Sequence, residues 1–367
     1  PNCIAKMSEQ RGNLKQIEQK KSLRLYRRLA FVTIEIALIA AFLSYRHNIT
    51  SLEQLSWLPE EKVNVETPEN ATQNNTDLAE LLYKEVRILC WVMTTPKNHR
   101  TRAIHIKRTW GKHCNRLLFV TSEDDEELGE TVVINEVEDK YEVLWPKMRI
   151  AFERIYEKYA NETDWFFKAD DDAYAYIENM RYFLYAYSPE MPIYFGYNLL
   201  YGGRKDEVYM SGGSGFVSSR EAVRLFVESA IVNKSGCDIN NHYIPDDVAI
   251  GECFRAVGVI AGDSRDVHGE ARFYLFAPFM VLMPELINEP FWYFNYSFYN
   301  PRSCKDCLAK YPMAFHYISP ADMYLFEFFG YEFWTIDLPT EPEEVLPKKL
   351  SWDDVVVLET DNIWNTS

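Results

Sequence analysis

Asp164-Trp165-Phe166-Phe167-Lys168-Ala169-Asp170-Asp171-Asp172 is a short, largely apolar run that ends in three consecutive carboxylates. An apolar run of this length bounded by polar residues reads as a buried strand, and in open α/β sheets ligands gather at the carboxyl ends of strands. Successive side chains alternate on an extended chain, which puts Asp170 and Asp172 on one face and turns Asp171 away. Two carboxylates on one face suit Mg²⁺ or Mn²⁺, hard ions that keep positions free for phosphate oxygens. The blander alternative is a solvated acidic turn or the N-cap of a following helix, and for an isolated Asp triplet it is the commoner one.

Outward from this strand, apolar runs and helical periodicities alternate. Val86–Met93, Leu117–Thr121, Ile193–Gly196 and Val259–Ala261 read as strands, and Tyr209–Ser218 as strand-like around a Gly-rich centre. Asn98–Trp110 reads as a basic helix stopped by Gly111. Glu142–Tyr159 reads as an amphipathic helix with Leu144, Met148, Ala151, Ile155 and Tyr159 on one face, and Ile177–Tyr187, Glu221–Ala230 and Val248–Val257 read as further helices. Strand–helix alternation predicts an α/β fold with a central, mostly parallel sheet.

Charge and cysteine usage place this body. The chain carries a net charge of −16, yet residues 1–28 hold eight Lys/Arg against Glu9 and Glu18. A folded part this acidic repels nucleic acid, so a phosphorylated ligand calls for a divalent cation. Leu29–Tyr45 is 17 residues long and nearly all apolar, with Glu35 in its middle. That length just meets the roughly 17 residues a membrane span needs. A buried soluble helix is the alternative; a cleaved signal peptide lacks a small-residue site at Arg46-His47-Asn48. The basic flank predicts a cytoplasmic tail at 1–28, a transmembrane signal anchor at 29–45 and everything after it luminal. The N-x-S/T sequons at Asn48, Asn70, Asn74, Asn161, Asn233, Asn295 and Asn365 all follow the anchor, as do six of the seven cysteines. An even luminal count suits disulfides, and neighbour pairing (Cys90 with Cys114, Cys237 with Cys253, Cys304 with Cys307) is the expectation. Cys304 and Cys307 also have the spacing of a zinc half-site or redox pair, without a second CxxC to complete a four-cysteine zinc site. Residues 46–84 read as a polar stem, 85–335 as the catalytic body and 336–367 as an acidic tail.

Eight segments in order give the body a recognisable pattern: MTTPKNHRTRAIHIKRTWGKHC (93–114), WFFKADDDAY (165–174), PIYFGYN (192–198), YMSGGSGFVSSREA (209–222), PDDVAIGEC (245–253), GVIAGDSRD (258–266), FWYFNYSFYNP (291–301) and AFHYISP (314–320). Over roughly 85–330 the chain resembles the β-1,3-glycosyltransferase superfamily of GT-A fold. Within it, the chain looks most like the core 1 β-1,3-galactosyltransferases that act on O-linked GalNAc. The resemblance implies an inverting transfer of galactose from UDP-galactose to the 3-hydroxyl of GalNAc-Ser/Thr on a glycoprotein, with Mn²⁺ as cofactor, in the Golgi lumen, by a homodimer. It implies Asp247 as the base, with Asp246 its rival; one of the two also serves as a helix N-cap. It implies Asp172 and His316 as metal ligands, with Asp170 beside the metal or ribose and Asp171 toward the nucleotide. It makes Thr94, Thr95, Arg102, Trp110 and Gly213 donor-side candidates and Trp292 the acceptor-side candidate. Each has a plainer reading: His316 as a core residue, the aromatic run 291–299 as packing. Cys304-Lys-Asp-Cys307 and the loop 231–245 depart from the family pattern, and both lie in the acceptor half. A relative with another donor or acceptor, such as a fringe-like GlcNAc transferase, shares the motifs. An inert chaperone-like relative is disfavoured by the presence of Asp170–Asp172, Asp247 and His316.

Overall fold

A computed structural model describes residues 78–205, 207–233, 237–238, 244–283, 292–302, 304, 306–333 and 346–355. The tail at 1–28, the anchor at 29–45 and most of the stem lie outside them. Among the described residues no helix is long and apolar enough to cross a membrane. A helix over 78–85 falls within the expected stem and buries Leu82, so regular structure begins upstream of Glu85.

In chain order the strands are β1 (Ile88–Met93), β2 (Arg116–Thr121), β3 (Thr131–Val133), β4 (Trp165–Asp170), β5 (Tyr174–Ala175), β6 (Ile193–Phe195), β7 (Asn198–Leu200), β8 (Val208–Met210), β9 (Phe216–Ser219), β10 (Ile260–Ala261), β11 (Phe273–Tyr274) and β12 (Ala314–Phe315). Seven form one sheet in the order β10-β6-β9-β4-β1-β2-β3. All neighbours in it run parallel except β9, which is antiparallel to both β4 and β6. The mixed α/β fold with a mostly parallel sheet is therefore as expected.

Both faces of this sheet are covered, which is why β1 and β4 read as continuous apolar runs rather than alternating ones. Ile88, Cys90 and Val92 of β1 pack on one face with Trp110, Phe167 and Val217. Leu89, Trp91 and Met93 pack on the other with Phe152, Phe166 and Phe216. The Leu144–Tyr159 helix covers that second face through Met148, Ala151, Phe152, Ile155 and Tyr159. It starts at Leu144 rather than Glu142, after a tight turn at Tyr141–Val143, and Pro146 is tolerated because the first turn needs no backbone donor there.

Two expected elements are broken. The basic helix at 98–110 is a wide turn at His99–Ala103, a short helix at Ile104–Arg108 and a separate tight turn at Trp110–His113. Tyr209–Ser218 divides into β8 and β9, which belong to different sheets. Between them the Gly-rich loop bends into the carboxyl end of β4. The cysteines pair as neighbours: Cys90–Cys114, Cys237–Cys253 and Cys304–Cys307. With Cys304 bonded to Cys307, neither offers a thiolate to zinc.

Candidate active site

β4 ends at Asp170, and the chain turns at once: the Ala173 N–H donates to the Asp170 carbonyl at 3.2 Å. The three carboxylates fan out from this turn. Asp171 is pinned from the β1 side, because Met93 and Asp170 are register partners and the chain beyond each is therefore adjacent. Thr94 Oγ1 donates to Asp171 Oδ2 at 2.8 Å and Asn98 Nδ2 to the same oxygen at 2.9 Å. Arg102 Nη1 donates to Asp171 Oδ1 at 2.9 Å and to Asp172 Oδ2 at 3.2 Å, so its guanidinium is held charged chiefly by Asp171. Trp110 is wholly buried, and its indole N–H donates to the Ala173 carbonyl at 2.9 Å. The expected donor-side Trp110 therefore braces the acidic turn from beneath and is not part of the cleft lining.

β12 runs antiparallel to β5, which follows the turn, and delivers His316 to the triplet. His316 Nε2 lies 3.2 Å from Asp172 Oδ1. Burial disfavours the charged Asp172, but the His316 contact and the charges of His316 and Arg102 hold its carboxyl below the usual range. Asp170, Asp172 and His316 each present a ligand atom, all within 4.8 Å of one another. Two carboxylates and an imidazole with this convergence fit a divalent cation such as Mn²⁺, with coordination positions left over. Gly213 lies against this cluster so closely that a Cβ there would be 2.2 Å from the His316 ring.

Also lining this cleft, Asp246 and Asp247 open the Asp246–Ala256 helix. Asp247 Oδ1 accepts the Val248 N–H at 2.9 Å, and Oδ2 accepts the Gly212 N–H at 3.1 Å. Burial first, and then the neighbouring Asp246 charge, push the Asp247 carboxyl up to about 7. Burial also raises Asp246, against the opposing pull of Lys168. Both acids, with Thr94, Thr95, Arg102, the Asp triplet, Gly213, His316 and Trp292, line one cleft of about 640 Å³. Trp292 is 44% exposed there, its ring 6.2 Å from that of Phe276.

Several cleft residues escape a reading by motif. Lys168 is fully buried beneath the carboxylates, with Nζ 2.6 Å from Asp170 Oδ1. The i, i+2 spacing on a strand is the signal that would have found it. Lys147 is also buried, paired with Asp139 and reaching the Thr94 carbonyl at 3.4 Å. Tyr141, Tyr209, Phe276 and Tyr317 complete an aromatic rim. Tyr317 stacks on His316 and takes a positive φ of 57°, a strained conformation for an aromatic residue beside the candidate ligands.

A family profile described as Fringe-like matches residues 84–273. Glycoprotein-N-acetylgalactosamine 3-beta-galactosyltransferase 1 of Xenopus laevis is 41% identical over 258 residues, 70% of this chain and 69% of that protein. A beta-1,3-glucosyltransferase of Mus musculus is 28% identical over 177 residues, 48% of this chain and 35% of that one. Among solved structures, apo mouse xyloside xylosyltransferase 1 matches at 10% identity and a TM-score of 0.34, covering 63% of this chain and 97% of its own, a likeness too loose to bear on the site. With the profile spanning half the chain and a relative 41% identical over more than two thirds of both chains, the chain belongs to the Fringe-like family of β1,3-glycosyltransferases.

Proposed function

We propose that this chain is an inverting β1,3-galactosyltransferase that moves galactose from UDP-galactose to the 3-hydroxyl of GalNAc on Ser or Thr of glycoproteins. The observation that carries the reading is the convergence of Asp170, Asp172 and His316 in a cleft that Asp246 and Asp247 also line. The likeness to the Xenopus enzyme supports the donor and acceptor.

In this reading the acceptor oxygen attacks the galactose C1, its proton passes to a carboxylate, the bond from C1 to the diphosphate breaks, and UDP leaves with the electron pair. Asp247 is the base: a carboxyl raised to about 7 is half ionised near neutrality and retains real proton affinity. Asp246 lies beside Lys168, 3.9 Å from its ammonium, which lowers its capacity to accept a proton and makes it the weaker candidate. Asp170, Asp172 and His316 hold the cation, which we assign as Mn²⁺. A divalent ion there supplies the positive charge that offsets the departing diphosphate. Arg102, Thr94, Thr95 and Asp171 hold the nucleotide side of the cleft, and Trp292 offers the acceptor sugar an apolar face. We assign residues 29–45 as a signal anchor with the catalytic body in the Golgi lumen, supported by the basic residues before that segment and the sequons after it. A homodimer belongs to the same proposal, supported by the exposed Tyr324, Leu325, Phe328 and Phe329 of the Pro320–Tyr331 helix.

The test is a transfer assay on the purified chain with Mn²⁺, a GalNAc-Thr peptide and either UDP-galactose or UDP-GlcNAc. Galactose transfer that is lost with EDTA and restored by Mn²⁺ is expected. Folded protein that transfers neither sugar would sink the enzyme reading, and GlcNAc transfer would replace the donor. Asp247→Asn is expected to bind UDP normally and to transfer at least about 100-fold more slowly.

A further inference from the structure

We propose that Lys168 is a positioning residue for the transfer step: its ammonium clamps Gly212 and Asp246, and through them holds Asp247 in place on the acceptor side of the cleft. The inference rests on the assignment of Asp247 as the base.

Lys168 is 1% exposed and sits in the floor of the cleft, two residues before Asp170 on β4. Its Nζ lies 2.6 Å from Asp170 Oδ1, 3.1 Å from the Gly212 carbonyl and 3.9 Å from Asp246 Oδ2. One ammonium thus touches the metal-side triplet, the Gly-rich loop and the base-side pair. The other cleft cations point elsewhere: Arg102 is taken by Asp171 and Asp172, Lys147 by Asp139 and Lys140 by Glu138.

Gly212 is the coupling piece. Its carbonyl accepts from Lys168 while its N–H donates to Asp247 Oδ2 at 3.1 Å. A Cβ at this position would lie 3.2 Å from Lys168 Nζ and 3.3 Å from Asp247 Cβ, so the loop is held tightly between the two side chains. Releasing the Gly212 carbonyl frees the loop whose N–H orients the Asp247 carboxylate. Charge acts in the same direction. Asp247 is faced by Asp246 from its own helix, Lys168 from β4, Tyr141 from the turn at Tyr141–Val143, Tyr194 from β6 and Tyr209 from β8. Of these groups Lys168 alone is a cation, so it is the neighbour that favours the ionised base. The arrangement explains why a lysine stands within an otherwise apolar buried stretch of strand, where an uncompensated ammonium is strongly disfavoured.

The experiment compares Lys168→Met, Lys168→Arg, Asp247→Asn and the Lys168→Met/Asp247→Asn double variant in the full chain. It reads kcat, KM for UDP-galactose and the pH dependence of kcat, with thermal unfolding as the check on folding. Lys168→Met is expected to lower kcat by at least about 10-fold, leave KM within about threefold, and move the acid limb of the kcat profile up by about one pH unit. In the Asp247→Asn background it is expected to slow the residual rate by less than about twofold, because the route it acts through is already gone. Lys168→Arg keeps the charge, so its acid limb is expected to stay at the wild-type position even where its kcat falls; this holds the test if Lys168→Met does not fold. A Lys168→Met enzyme with wild-type kcat and pH profile overturns the proposal, as does a full, additive loss in the Asp247→Asn background, or an acid limb displaced in Lys168→Arg. If Asp247→Asn itself transfers at the wild-type rate, the base assignment fails first, and the position of Lys168 has nothing to act on.

Discussion

His113 joins Glu178 of the Ile177–Leu184 helix to Glu327 of the Pro320–Tyr331 helix, and its substitution has a calculable pH signature. Nδ1 lies 2.9 Å from Glu178 Oε1, Nε2 lies 2.9 Å from Glu327 Oε1, and the ring stacks on Tyr331 at 4.2 Å. Tyr174 donates to Glu327 at 3.1 Å, and Tyr331 donates to Glu178. Glu327 and Tyr331 lie on the Pro320–Tyr331 helix, so this network anchors the helix that follows His316. Burial alone would lower the His113 pKa. Hydrogen bonds to Glu178 and Glu327 overcome it and raise the imidazolium to about 9, against 6.5 when unfolded.

A base whose folded pKa is raised stabilises the fold fully below its unfolded value and loses that contribution as pH rises through the folded value. The window is therefore pH 6.5 to about 9. At 1.36 kcal/mol per unit the shift corresponds to about 3 kcal/mol at most. His113 is 17% and Glu178 36% exposed at the side chain. Solvent screening brings the expected value down to about 1.5 kcal/mol. Urea unfolding at fixed ionic strength should show the wild type losing about that much more stability than His113→Gln between pH 6.5 and 9.5. Asp247, whose folded pKa is raised to about 7, costs stability as pH rises between 3.8 and 7, but equally in both proteins. Parallel stability curves for the two proteins across the window would refute the argument, because the imidazolium would then carry no differential proton binding.

Three further outcomes follow from the site. Gly213→Ala puts a Cβ into the space of the His316 ring, so Mn²⁺-dependent UDP binding, read by calorimetry, should weaken at least about 10-fold with a second-order change in unfolding midpoint. Trp110→Phe removes the hydrogen bond under the Asp triplet and leaves the Ala173 carbonyl without it; a loss of about 1–2 kcal/mol in urea unfolding is expected. The wild-type kcat should rise with pH to a midpoint near 7 and then level, since Asp247 works only without its proton; a flat profile between pH 5.5 and 8.5 would exclude it as the titrating base.

The sheet was legible because its signal is local. β1 and β4 are buried on both faces, so each is a continuous apolar run, and the Leu144–Tyr159 helix shows its covered stripe as a period of three to four residues. The basic segment at 98–110 was not, since its backbone follows tertiary demands. It has to lead Asn98 and Arg102 back to Asp171, more than sixty residues downstream, while sinking Trp110 under the turn. The aromatic Trp110 therefore carried no mark that separated a ligand platform from a buried brace. The sequence gives no sign of the role of Lys168, because its partners Gly212 and Asp246 are distant along the chain.

The Asp triplet shows where pattern reasoning reaches a sound geometry through an incomplete cause. Alternation along a strand separates Asp171 from Asp170 and Asp172, and the structure separates them too. The strand, however, stops at Asp170, and Asp172 comes back toward Asp170 through a turn rather than a pleat. What decides the three destinations is register. Parallel pairing sets Met93 opposite Asp170, so the next residues, Thr94 and Asp171, meet and bond. Antiparallel pairing of β12 with β5 sets His316 beside Asp172. Asp170, the last strand residue, keeps the company of Lys168 on its own face. A slip of one residue in the β1–β4 pairing would expose Thr94 to a different carboxylate and dissolve the site without changing a single side chain. The chemistry of the cleft is thus written in two strand registers that bring sequence-distant segments together, and the Asp triplet supplies the groups those registers sort.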